Sequence, residues 1–286
     1  MSGASGHVGA NLVRELLAQG HRVRALVRED DRALRALRGL SGPGAERLEP
    51  VRGDIFDPGS LARLLGGADA MFHLAGRISL VGAEGGLVER TNVEGVRQVV
   101  EACLALGVPL VHCSSIHAFD DNPHDQIVDE SRALALGPRH RPYDRSKAMG
   151  QRIVADAVRE RGLNAVIVNP TAVVGPHDYK LSRMGEVLLD IYHRRLPLLI
   201  DGGYNWVDAR DVARGAIAAL EQGRRGECYL LPGHWVHIVE VSRLIARLTG
   251  RRTARPAAPL WLATGASVFA LAWGRLTGEV AALRHR

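Results

Sequence analysis

Short apolar or β-branched runs alternate with longer stretches of helical periodicity through the first 170 residues, and this alternation restricts the chain to repeated βα units. Strands read at residues 22–27, 47–51, 70–74, 110–114 and 165–169, with amphipathic stretches at 8–18, 61–65, 86–106 and 146–161. Gly or Pro closes each helical stretch. The order predicts a parallel sheet with helices on both faces, an α/β fold. A length of 286 residues, 46% apolar and 24% charged, is that of an ordinary globular chain with ample core material. After Pro170 the regularity loosens into a Gly/Pro-rich region, a helix near residues 183–194 and an Asp201-Gly202-Gly203 turn. Residues 1–170 are therefore expected to form the sheet-based core, and residues 171–286 mainly a smaller lobe with some segments returning to the core. There is no solenoid-length repeat and no low-complexity tract.

The first chemical signal is Gly3-Ala4-Ser5-Gly6-His7-Val8-Gly9, which opens directly into a helix carrying Leu12, Val13, Leu16 and Leu17. Glycines at this spacing let backbone amides and the positive helix end approach a pyrophosphate without a Cβ in the way. Gly-rich turns before helices are also common without any ligand. A dinucleotide fold needs a strand immediately before the turn, and only Met1 and Ser2 are available. The central strand is thus expected to be missing or truncated, because the true start lies upstream; a distorted or substituted strand is the alternative. At the end of the second strand, Arg28 could pair with a 2′-phosphate and so favours NADP over NAD, although Glu29 and Asp30 are near and a solvated arginine would look the same. Asp54, with Ile55 beside it, follows the third strand, where the carboxylate could meet an adenine amine or merely cap a turn.

The strongest constellation is Tyr143-Asp144-Arg145-Ser146-Lys147 at the start of a long helix, preceded by a strand ending in Ser114-Ser115. Tyrosine and lysine at i and i+4 share a helical face, so an ammonium there can stabilise a phenolate and lower a pKa that is otherwise about 10. A serine hydroxyl nearby can hold a substrate oxygen as its charge changes. An isolated Tyr-x-x-x-Lys is more often a surface pair; its position after the serine pair distinguishes this one.

With these motifs in order, the chain resembles the extended short-chain dehydrogenase/reductase family. The residues that carry the resemblance are GASGHVG at 3–9, GDIFD at 53–57, FHLAG at 72–76, TNVEG at 91–95, the serines at 114 and 115, YDRSK at 143–147, NPTAVVGP at 169–176 and WVDARDVA at 206–213. The resemblance implies a Rossmann-like, doubly wound sheet that binds a nicotinamide dinucleotide, with Ser115, Tyr143 and Lys147 as the catalytic trio. Ser115 rather than Ser114 matches the catalytic position. It also implies contacts from Gly3, Ser5, Gly6, His7, Val8 and Gly9 to the pyrophosphate side, from Leu74, Ala75 and Gly76 along the ribose, and from Pro170, Thr171 and Val173 beside the nicotinamide. Lys147 would also hold the nicotinamide ribose, and Asn92 is either structural or part of a proton relay.

Within that family the Asn169-Pro170-Thr171 and Val174-Gly175-Pro176 segments resemble dihydroflavonol-4-reductase and 3β-hydroxysteroid dehydrogenase members. Nucleotide-sugar epimerases more often place Val-Tyr-Gly where this chain has Ala118-Phe119-Asp120, and dehydratases need an acidic pair where it has Ile116-His117. The resemblance thus implies an oxidoreductase that reduces a carbonyl or oxidises a secondary alcohol of a small molecule, with NADP preferred and NAD as the alternative. A nucleotide-sugar epimerase and a non-catalytic dinucleotide-binding or sensing protein are the other readings; the intact trio favours an enzyme. Substrate contacts are expected from His117 and Tyr179, and from the 183–192 helix and Trp206. Family members commonly form homodimers through the two helices read here at 86–106 and 146–161.

Charge and composition exclude other classes. The net charge is +6 with a pI near 9.7, but the arginines are spread along the chain, so nucleic acid is not an expected partner. Cys103, Cys113 and Cys228 are odd in number and lack metal-ligand spacing, which speaks against disulfides and for a reducing cytoplasm. His73, His112 and His177 form no metal cluster by spacing, and no metal site is expected. No secretory leader is read at the start. Residues 257–273 are uncharged but fall short of the ~20 that a spanning helix needs. A buried or interfacial helix is expected there, with Trp261 and Trp273 packing or covering a cleft rather than entering a membrane.

Overall fold

Every strand of the main sheet runs parallel. β1 (Val23–Val27) pairs with β2 (Leu48–Arg52), while β3 (Met71–His73), β4 (Leu110–Cys113), β5 (Ala165–Pro170) and β9 (Cys228–Leu231) form a second ladder in that order. Ser2 bridges both Leu26 and His73 in the parallel sense and joins the two ladders. Its backbone and that of Met1 exchange bonds on either side: Leu26 N to Met1 O at 2.9 Å, Ser2 N to Phe72 O at 3.0 Å and Leu74 N to Ser2 O at 3.1 Å. The place where a central strand was expected to be missing is therefore held by two residues, which satisfy only the upper ends of their neighbours. The computed structural model describes residues 1–28, 44–79, 82–196, 198–251 and 257–259. Glu29, Asp30, Trp261, Trp273 and nearly all of the apolar C-terminal segment lie outside them. No helix of the described residues is long and apolar enough to cross a membrane.

Both sheet faces are covered, as continuous apolar strands require. In β5 the alternation is direct: Val166 and Val168 join one core cluster, Ala165 and Ile167 the other. The first cluster includes Leu12, Val13 and Leu17 of α1 (His7–Ala18). The second includes Leu61, Leu64 and Leu65 of α2 (Pro58–Leu65), Val96, Val99 and Val100 of α3 (Gly95–Leu106) and Val154 of α4 (Pro142–Arg161). Each such side chain contributes about 1.5–3 kcal/mol on burial.

Local chemistry sets the helix ends. Asp57 caps α2 by accepting from Gly59 N and Ser60 N at 3.1 and 3.0 Å, with Pro58 in the first turn. Pro142 likewise occupies the first turn of α4, which starts one turn earlier than the periodicity suggested and so takes Tyr143 into that turn. The helix read as continuous over 86–106 contains a π-helical turn, Arg90–Glu94, ahead of α3. Such insertions accompany functional sites, and this one carries Asn92.

Contact density divides the chain into Met1–Ser182 with Trp206–Gly233, and Arg183–Asn205 with His234 onward. In the first unit β6 (Ala172–Val174) pairs with β8 (Gly203–Asp208) from Ala172↔Trp206 to Val174↔Asp208. α6 (Ala209–Gln222) adds Ala213, Ala216 and Ile217 to the first core cluster. In the second unit α5 (Arg183–Tyr192) packs on α7 (Ile238–Thr249), β7 (Leu199–Ile200) pairs with β10 (Ala257–Ala258), and Asp201 bonds His237 Nε2 at 2.9 Å.

Candidate active site

Ser115 leaves β4 in extended conformation and caps a 3-10 turn, Ile116–Ala118, its Oγ accepting from His117 N at 3.2 Å. Tyr143 and Lys147 stand on the first turns of α4, and all three side chains are buried. The Ser115 side chain acts on the Tyr143 phenol against the effect of burial. Lys147 Nζ donates to Cys113 O at 3.1 Å, at the strand end just before the serines. The structure thus gathers the trio that the sequence singled out.

A second layer of polar groups fixes that trio. Asn169 Nδ2 donates to Ser115 O at 2.9 Å and to Gln151 Oε1 at 2.7 Å. Asn92 Nδ2 donates to Ser146 Oγ and to Arg77 O, both at 2.9 Å, while its Oδ1 accepts from Arg77 N at 2.8 Å. Ser146 Oγ in turn donates to Tyr143 O at 2.7 Å. Gly150 permits the approach of α4 to the π turn, since a Cβ there would sit 2.6 Å from Asn92 O. Asn169, Gln151 and Ser146 were not read as site residues. Gln151 had a signal, one turn beyond Lys147 on the same helix face; Asn169 had its place at the end of a buried strand and at the head of the NPTAVVGP segment.

The electrostatics differ from the sequence expectation. Burial pushes Tyr143 up to about 12, with the Ser115 hydrogen bond pulling the other way. Burial also lowers Lys147, whose ammonium is committed to the Cys113 carbonyl. Tyr143 is therefore a protonated phenol at neutral pH, suited to giving a proton away.

The glycine turn fits a dinucleotide through backbone geometry. Gly3 has φ of 76°, and a Cβ there would lie 2.6 Å from Ala75 N and Leu74 C; at Gly9 it would lie 2.1 Å from Gly3 O. The turn is thereby wedged between α1 and the end of β3. No side chain caps α1, which begins at His7 after Gly6, so the first amides around Val8 remain a donor set for an anionic ligand. Segment 74–76 leads from this turn toward the trio: Ala75 N donates to Ser2 Oγ at 3.4 Å, Leu74 packs on the α1 core, and a Cβ on Gly76 would meet Lys147 Nζ at 3.3 Å.

The segment after β6 is tied across the same turn. His7 Nε2 meets Gly175 O at 3.2 Å, Asn11 Nδ2 donates to Pro176 O at 2.8 Å, and Lys180 Nζ donates to Ser5 Oγ at 2.7 Å. Arg28 is exposed just past β1. Asp54 Oδ1 caps Phe56 N at 3.0 Å, while Ile55 is buried in the second core cluster against Gly95. Pro170 is buried at the end of β5, and Thr171 and Val173 follow it half-buried. Of the two substrate candidates, His117 lies beside Tyr143, with ring centroids 5.5 Å apart. Tyr179 packs on the α1 core, its hydroxyl 3.1 Å from His177 Nδ1.

Residues 1–231 match the NAD dependent epimerase/dehydratase family. The chain is 34% identical over 271 residues to sterol demethylase protein B of Methylococcus capsulatus, covering 94% of this chain and 80% of that one. It is 33% identical over 267 residues to a putative dihydroflavonol 4-reductase of Synechocystis, covering 92% and 75%. Among solved structures, the dTDP-glucose 4,6-dehydratase DesIV of Streptomyces venezuelae, a double mutant with NAD and DAU bound, superposes with a TM-score of 0.74 at 27% identity, covering 90% of this chain and 83% of that one.

Proposed function

Since the chain belongs to the NAD-dependent epimerase/dehydratase family, as an NAD(P)-dependent enzyme of the extended short-chain dehydrogenase/reductase type acting on a small molecule, we propose that its reaction is the reversible reduction of a ketone to a secondary alcohol. The single observation that carries this reading is the burial of Ser115, Tyr143 and Lys147 at the junction of β4 and α4, with Lys147 Nζ held on Cys113 O. Ser115 orients the substrate oxygen, Tyr143 delivers the proton to it as negative charge develops, and Lys147, fixed by Cys113 O, supplies a buried cation beside them. A bound nicotinamide dinucleotide supplies the hydride. Its pyrophosphate would be held by the amides of residues 3–9, its ribose by Leu74, Ala75, Gly76 and Lys147, and its nicotinamide by Pro170, Thr171 and Val173.

NADP is the proposed cofactor, because Arg28 presents an exposed guanidinium at the end of β1, where a 2′-phosphate is recognised. Ile116 and His117 in place of an acidic pair favour reduction over dehydration. The relatives named for reductase activity support the same choice over a nucleotide-sugar epimerase. A cytoplasmic location is in keeping with three cysteines that form no disulfide.

The test is a fluorescence titration with NADPH and NADH, followed by NADPH oxidation against a panel of ketones. Tighter NADPH binding, reduced about tenfold in Arg28→Ala while NADH binding is unchanged, is expected. Equal affinity for the two nucleotides, unchanged by Arg28→Ala, would refute the cofactor assignment, and absence of turnover on every ketone would refute the reductase reading.

A further inference from the structure

The turn after β4 carries more than Ser115. The same hydrogen bond that lets Ser115 cap it, from His117 N, brings the His117 ring to the start of α4. There the ring stands edge-on to Tyr143, with an interplanar angle of 65°, and its Nδ1 lies 3.1 Å from Asp144 Oδ1. The Asp144 side chain is 17% exposed and that of His117 50%, so the carboxylate is covered while half of the imidazole surface remains open. Asp144 sits in the first turn of α4.

Each partner is fixed to the catalytic trio by the backbone: His117 is two residues past Ser115, and Asp144 follows Tyr143 directly. The contact thus joins the turn that carries Ser115 to the helix that carries Tyr143. A carboxylate offers only acceptors, so its place 3.1 Å from Nδ1 favours hydrogen on that nitrogen, and in the neutral ring Nε2 then holds the lone pair. Ser115 and His117 belong to one short turn, and the His117 ring lies 5.5 Å from that of Tyr143.

We propose that Asp144 is a positioning residue that holds His117 as its Nδ1–H tautomer, so that His117 Nε2 accepts a hydrogen bond from a substrate hydroxyl on the carbon next to the reacting carbonyl. The preferred substrate class is then an α-hydroxy ketone, or a vicinal diol in the oxidative direction. The assignment of that class rests on the reductase reading above; the role of Asp144 does not.

Two measurements test the pair on NADPH-loaded protein. Nitrogen-15 spectra of histidine-labelled protein, with the His117 signals identified by their loss in His117→Gln, report the tautomer directly. The Nδ1–H form is expected in the parent and a mixture in Asp144→Asn; a parent ring protonated at Nε2 alone would overturn the role of Asp144. The second measurement compares benzoin with deoxybenzoin, which differ by the hydroxyl in question, by kcat/KM and by Kd. A preference for benzoin of about tenfold or more is expected, falling to near unity in His117→Leu and largely kept in His117→Gln, whose amide reaches the Nε2 position. NADPH affinity in each variant verifies that it has folded. Equal handling of the two ketones by the parent would overturn the substrate assignment. Failure of every ketone to react, with the Nδ1–H tautomer still present, would instead fault the reductase reading and leave Asp144 confirmed as the orienting group.

Discussion

The two ends of the site are built by opposite means. At the Ser115–Tyr143–Lys147 end, buried polar side chains are bonded to backbone carbonyls, and each trio residue has a named partner: Asn169 on Ser115 O, Ser146 on Tyr143 O, Cys113 O under Lys147. At the glycine turn the backbone itself is the instrument, and the decisive feature is the lack of a Cβ at Gly3 and Gly9. One end is specified by atoms present and the other by atoms absent. Removing an atom from the first should therefore destroy chemistry while leaving ligand affinity, and adding one to the second should destroy affinity together with stability.

The largest effect is expected at the first end. Tyr143→Phe deletes one oxygen from a buried ring whose packing is otherwise kept, and the lost proton transfer should lower kcat by about 10²–10⁴. NADPH affinity, read by fluorescence, should stay within about threefold, since phosphate binding depends on the other end. Loss of affinity comparable with the loss of kcat would break the distinction between the two ends.

Gly9→Ala comes next. Its new Cβ would lie 2.1 Å from Gly3 O and 2.9 Å from Ala4 Cα, both backbone atoms that can move only if the turn opens. A destabilisation of about 3 kcal/mol and loss of both nucleotides are expected, visible as a fall in Tm of roughly 5–10 °C. Gly202→Ala is the control: nothing lies within 4 Å of a Cβ there, and stability should change by less than about 0.5 kcal/mol.

This contrast also explains what could be read before the structure. The Tyr143-x-x-x-Lys147 spacing and the glycine turn are local patterns, and local periodicity also gave the strands of residues 22–27, 47–51, 70–74, 110–114 and 165–169 to within about a residue or two. What escaped depends on partners far along the chain. Asn169 meets Gln151 only because β5 runs beneath α4, and the short Cys228–Leu231 strand becomes the sheet edge only by pairing with β5. Nor does spacing reveal burial, which is why lysine was expected to lower the tyrosine pKa, whereas desolvation raises it. The central strand is as short as the two residues before the glycine turn imply, and what only the structure shows is that Met1 and Ser2 bond to both neighbours.

Between the two ends lie His73 and His112, paired in register across β3 and β4 and stacked with centroids 5.5 Å apart. His73 Nδ1 is 2.6 Å from Ser2 Oγ on the glycine side, and the Lys147 charge reaches both rings from the other. Burial first, then these charges, holds His73 down to about 3 and His112 well below its ordinary value of 6.5. Both stay neutral in the folded protein while the unfolded chain takes up protons below 6.5. Their contribution to stability is thus full above that pH and is lost as pH falls. Between pH 7.5 and 5.5 each should cost on the order of 1 kcal/mol, so His112→Phe should halve that part of the decline in urea midpoints. Parallel pH curves for parent and variant would mean that His112 is hydrated in the folded state.

The smallest effect tests whether the glycine turn depends on the backbone alone. Lys180 is exposed, yet its ammonium is brought to Ser5 by a segment whose path is fixed by His7 at Gly175 O and Asn11 at Pro176 O. A cation so placed adds to the attraction for a pyrophosphate, but water and salt screen it far more than they screen the amides of residues 3–9. Lys180→Gln should weaken NADPH binding by about two- to fivefold at low ionic strength and leave it nearly unchanged in about 0.5 M salt, with kcat preserved throughout. If the weakening persists at high salt, Lys180 acts by holding the segment rather than by its charge, and the glycine end then relies on a side chain in the way that the catalytic end does.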